Sequence, residues 1–111
     1  VLAMGCIAVR RDFAEANPNF IAEFLKKYKD SVKFVNDNPA EAAKLVSDEG
    51  VIAAGEDVIE KAIPYCNIVY KNAQDAKTEV DGFLKVLFDF NPASVGGKLP
   101  DEGFYCAATE K

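Results

Sequence analysis

Apolar and polar positions follow two rhythms along the chain. Residues 5–9, Gly-Cys-Ile-Ala-Val, are an unbroken run of small and β-branched apolar residues. That pattern predicts a strand covered on both faces. Arg11 to Glu15 reads as a short turn, with Phe13 packing inward. From residue 18 the rhythm becomes helical. Ile21, Phe24, Leu25, Tyr28, Val32 and Val35 recur at three- and four-residue intervals, while Lys26, Lys27, Lys29 and Lys33 fall largely on the other side. Asn17-Pro18 opens this helix, because Asn can accept from the first free backbone N–H groups and Pro suits the first helical position. It ends near Asp37.

The same signal returns at Asn38-Pro39 and starts a second helix, with Ala42, Ala43, Leu45 and Val46 inward and Gly50 as its stop. A third helix runs from about residue 56 to 62 and is closed by Pro64. The stretch "PYCNIVY", residues 64–70, is extended in character, as a short strand at 67–70 or a buried connector. The last helix covers residues 73–90, with Ala76, Val80, Phe83, Leu84, Leu87 and Phe88 on its apolar face. Gly82 inside it costs up to ~1 kcal/mol relative to Ala, which points to close packing against another element. Asn91-Pro92 ends the helix, and a Gly/Pro-rich tail follows with a short turn at residues 101–104.

These elements predict a single domain over residues 1–111, mainly α. One N-terminal strand precedes about four helices, with a second short strand at 67–70 left open. A lone strand cannot satisfy its own backbone groups. Its partners belong either to a second copy of the chain or to another part of a larger protein. The first alternative gives a homodimer through residues 1–10, with Val1–Met4 and Arg10–Asp12 as arms.

Composition narrows the chemistry. Half of the 111 residues are hydrophobic and 28% are charged, the balance of a globular chain. The net charge of −5 and the absence of a basic stripe argue against nucleic acid as a partner. There is no histidine, which removes Ser-His-Asp and Cys-His catalysis and His-ligated zinc together. Nothing singles out a paired acid and base, so no catalytic residue, metal or cofactor is predicted. Cys6, Cys66 and Cys106 are too far apart in sequence for a redox or zinc motif. Buried thiols or a disulfide account for them. "SVGGKLP" lacks phosphate-loop spacing, with Leu99 where Ser or Thr would bind magnesium. No apolar run approaches the ~20 residues of a membrane span. Tyr65, Tyr70 and Tyr105 read as half-buried packing, with stacking on a ligand as the alternative.

"MGCIAVRRDFAEANPNFIAEFLKKYKDSVKFVNDNPAEAAKLV" resembles the stretch near the C-terminal end of ABC-transporter substrate-binding proteins. The group it is most similar to binds nitrate, sulfonates, taurine or thiamine-precursor pyrimidines. "AIPYCNIVYKN" and "FLKVLFDFNPASVGGKLPDEGFY" also look like the tail of that group. The resemblance implies a parent with the two-lobe type II periplasmic-binding-protein fold, exported and membrane-anchored, whose targeting segment lies upstream of Val1. It implies a role in capturing a small polar or anionic solute for an ABC permease, without catalysis. The chain would be roughly the last third of that parent, so most ligand contacts would lie upstream. Met4 and Gly5 would be the residues nearest the hinge and cleft. An exported parent can keep disulfides, and Cys6 and Cys66 are then the candidate pair, with Cys106 left over. The alternative is a free-standing helical protein-interaction module.

Overall fold

A computed structural model of the chain describes residues 3–110. Five α-helices follow one another: α1 (Arg11–Ala16), α2 (Pro18–Asp37), α3 (Pro39–Asp48), α4 (Glu56–Ala62) and α5 (Ala73–Phe90). Short 3₁₀ turns occupy Ile63–Tyr65, Pro92–Val95 and Glu102–Phe104.

The described residues contain no β-strand, which corrects two expectations. Residues 5–9 are irregular and exposed; Met4 is 88% exposed, Ile7 57% and Val9 43%. Their composition suits a strand, but a strand exists only in a ladder, and no described segment supplies one. Residues 67–70 form no strand either. Asn67 sits at φ 49°, in the left-handed region. The Ile68 carbonyl accepts from Asn36 Nδ2 of α2 (2.9 Å), so a helix side chain takes the bond a neighbouring strand would have made. The dimer expected through residues 1–10 falls in part outside the described residues, at Val1 and Leu2.

The segment expected to be a turn, residues 11–15, is the helix α1 instead. Phe13 remains 44% exposed and meets Phe20 edge-on at 5.7 Å between ring centroids. The long helices lie where the apolar spacing places them, from Pro18, Pro39, Glu56 and Ala73.

The Asn-Pro junctions work differently from a simple N-cap. Asn17 has φ −132°, ψ 53° and Asn38 φ −132°, ψ 60°, outside the α region as a following proline demands. Their side chains donate backwards: Asn17 Nδ2 to the Phe13 carbonyl (2.9 Å) and Asn38 Nδ2 to the Phe34 carbonyl (3.1 Å). Each Asn backbone N–H bonds to the same carbonyl as its side chain, and each Asn carbonyl accepts from the first N–H it can reach in the next helix. Each junction therefore bends the chain while keeping its orphan carbonyls occupied. Gly50, at φ 64°, stops α3 in a conformation that a residue with Cβ rarely adopts.

The chain divides into two compact units. The central unit takes Phe24–Tyr70; the terminal unit takes the residues up to Glu23 together with those from Lys71 onward. In the central unit Ala42 and Ala43 of α3 meet Ile59 of α4 and Ile63. Phe34, Val35, Val46 and Ala54 pack around them. The alanines let α3 and α4 approach closely, and the two isoleucines fill the space between. In the terminal unit the buried residues are Ile21, Ala22, Asn72 and Tyr105.

Candidate functional site

The terminal unit holds the densest set of side-chain interactions. Asn72 caps α5: its Oδ1 accepts from the Asp75 N–H (2.9 Å), and its Nδ2 donates to Asp75 Oδ2 (2.9 Å) and Glu110 Oε2 (3.4 Å). Only 6% of Asn72 is exposed, so these bonds replace water that cannot reach it. Two residues further, Gln74 Nε2 donates to the carbonyls of Cys106 (3.1 Å) and Tyr105 (3.4 Å). Lys77 pairs with Glu102, and its ammonium lies 5.8 Å from the Tyr105 ring centroid. Asp81 accepts the Tyr105 hydroxyl. Gln74, Lys77 and Asp81 are spaced by three and four residues, so one face of α5 carries all three. The chain after Asp101 lies along that face.

Burial raises Tyr105 to a pKa of about 12, helped by the Asp81 carboxylate that its hydroxyl bonds and by Glu102. A phenol held this firmly protonated is a hydrogen-bond donor and a poor general base. Just ahead of the helix, Lys71 grips both oxygens of Glu79 of α5 at 2.8 Å and holds its carboxyl below the ordinary range.

The residues that the resemblance places near a cleft lie elsewhere in this unit. Met4 and Gly5 are exposed, and a Cβ on Gly5 would meet nothing within 4 Å. A shallow, open depression runs from Ala8 to Asn17, between this segment and α1. At its edge the Arg10 guanidinium bonds Asp12 and holds its carboxyl below the usual value. Asp12 Oδ1 also accepts the Phe13 N–H (2.9 Å).

The cysteines are free thiols, and their burial departs from expectation. Cys6 and Cys66 are exposed and Cys106 is partly buried. Cys6 is exposed because its segment joins no sheet. Cys66 ends the 3₁₀ turn, its thiol bonding the Ala62 carbonyl at 3.3 Å. Gly82 also departs from expectation: it is exposed, with open space where its Cβ would stand, so close packing within the described residues does not explain it. Tyr70, in the central unit, meets Tyr28 edge-on at 5.8 Å, and Tyr28 stacks on Phe24 at 6.1 Å. Among the described residues no three acidic, cysteine or histidine side chains gather as a metal site, and no helix is long and apolar enough to cross a membrane.

The Tyr105 network escapes a reading built on apolar periodicity. The polar spacing of Gln74, Lys77 and Asp81 is its one signal in the sequence, and it gives the face without naming the partner.

No family model and no curated protein matches the chain. A crystal structure of an ABC transporter from Parabacteroides distasonis is similar to it, with 34% sequence identity and a TM-score of 0.68. The match covers 75% of this chain and 29% of that one. The chain is thus related to an ABC-transporter protein and spans less than a third of its length.

Proposed function

We propose that the chain is the C-terminal part of the solute-binding component of an ABC importer. The observation that carries this reading is the 34% identity and common backbone course over three-quarters of the chain with an ABC-transporter protein. The resemblance of "GCIAVRRDFAEANPNF" to solute-binding proteins supplies the finer assignment. Small polar or anionic solutes are the substrate class: nitrate, a sulfonate or a thiamine-precursor pyrimidine. A periplasmic or extracellular location and a permease partner belong to the same reading, as does the lack of catalysis. Met4 and Gly5, on an exposed segment leading into α1, are where this part would join the rest of a two-lobed parent, and lobe closure would bend the chain there.

The test is calorimetric titration of the full-length protein carrying this segment with nitrate, an alkanesulfonate and a hydroxymethylpyrimidine. One-to-one binding of one of these is expected, together with stimulation of the cognate permease's ATPase. Failure of all three solutes and of permease stimulation would overturn the proposal.

A further inference from the structure

The last ten described residues are fastened to two different helices by different means. Along α5 the fastening is multiple: Lys77 to Glu102, Asp81 to the Tyr105 hydroxyl, Gln74 to the Cys106 carbonyl and Asn72 to Glu110. Burial follows an alternating pattern, with Cys106, Ala108 and Glu110 partly covered and Ala107 and Thr109 exposed, as for an extended chain laid on a surface. Toward α1 the fastening is a hydrogen bond across 92 positions of sequence: Arg11 Nη2 donates to the Gly103 carbonyl at 3.0 Å. Gly103 makes room for it. A Cβ there would stand 2.8 Å from Arg11 Nη2 and 3.4 Å from Arg11 Cζ. The guanidinium can lie against the backbone only because residue 103 has no side chain.

We infer that residues 101–110 form a strap tying α1 to α5, with the Arg11–Gly103 contact as its release point. The α1 end of the strap controls more than one helix turn. Asp12, Phe13 and Ala16 of α1 line the depression described above, so loosening α1 reshapes that surface and the exit of the N-terminal segment. The α5 end holds independently through its several polar bonds. The strap is therefore asymmetric, permanent on one helix and releasable on the other. This holds whether or not the chain serves transport.

Gly103→Ala displaces the Arg11 guanidinium, the far end of a flexible side chain that can swing away, but its Cβ also comes within 3.2 Å of Asp101 Oδ1, the acceptor of the residue 103 N–H, so it presses on the strap's own turn as well. Arg11→Ala removes the same fastening from the other side while improving local helix propensity, so any loosening it causes runs against that gain. Hydrogen exchange on the full chain reads the result. In both variants the α1-terminal amides of Ala14 and Asn17 are expected to exchange about fivefold faster, the equivalent of one modest hydrogen bond. Amides of α5 and of α3 should keep their wild-type rates, and the double variant should add nothing to either single one. Unchanged α1 exchange in either variant overturns the inference. So does an equal rise in α1 and α5, which would mean general loosening and no release point.

Discussion

The two units hold their helices by different physics. In the central unit the contact is apolar and dry: Ala43 is 0% exposed, Ala42 2%, Ile63 6% and Ile59 7%. In the terminal unit Ile21 and Ala22 are buried too, but beside them the buried Tyr105 and Asn72 are hydrogen-bonded through their side chains. An apolar contact is non-directional and scales with area, so it forgives small shifts and fails when volume changes. A polar strap is directional, and each bond nets little because water competes for it in the unfolded chain. The central unit should thus carry the larger single-residue effects, and the terminal unit should lose its order piecemeal.

The largest break of that comparison lies between α3 and α4. Ile59→Ala removes three carbon atoms from a buried position and should cost about 2–4 kcal/mol, a large share of a small protein's stability. Ala43→Leu should cost about 1–3 kcal/mol by forcing the helices apart. Thermal unfolding followed by circular dichroism checks both. A loss below about 0.5 kcal/mol for Ile59→Ala would show that this cluster is not the unit's core.

What the sequence discloses follows the same division. The helices of the central unit were legible because their apolar residues repeat every three to four positions and their ends carry Pro39, Gly50 and Pro64. The strand expected at residues 5–9 failed for the converse reason. Its five apolar residues state a preference, whereas a strand is a relation between two segments, and local pattern holds no information about the absent second one. α1 leaves no such mark because "RDFAEA" is too short to show a period. The Tyr105 network is illegible in the sequence because its partners are separated by 24 to 38 residues, and hydrogen-bond partners at that range leave no local mark. Met4 and Gly5 came from resemblance alone, and the structure leaves both exposed.

A smaller effect sharpens the polar side of the comparison. The pKa of Tyr105 is about 12 folded, against 10.0 as its ordinary value. A group whose pKa is raised on folding stabilises fully below its unfolded pKa, and that stabilisation is lost as pH rises through the folded value. Stability should therefore be unaffected by this group below about pH 9 and fall between about pH 10 and 12, by about 1–2 kcal/mol. Tyr105→Phe lacks the ionising hydroxyl and should cost about 1 kcal/mol at neutral pH, from the lost bond to Asp81. It should then show a shallower decline than wild type above pH 10. Chemical denaturation at pH 7, 10 and 11.5 measures both, and parallel curves for the two proteins would place the Tyr105 hydroxyl in water instead.

The smallest effect concerns the one device that the two units share. Asn17 and Asn38 have nearly the same backbone angles and donate from Nδ2 to the carbonyl four residues back. Asp is as good an N-cap as Asn, so if these side chains served the following helix, Asn→Asp would be neutral or slightly stabilising. Acting backwards they need a donor, and Asp has none when ionised. It would also place a negative charge at the C-terminal end of the preceding helix, where the exposed carbonyls already carry partial negative charge. Asn38→Asp should therefore destabilise by about 1 kcal/mol at pH 7, and acidification below the carboxyl's pKa should recover part of the loss as the protonated acid regains an O–H donor. Asn17→Asp should lose a similar amount although it sits in the other unit, because the geometry that decides the sign is the same. Urea denaturation of the two variants at pH 7 and pH 4 reads out the difference. A stabilised Asn38→Asp would return the side chain to its forward role and make the two junctions ordinary N-caps.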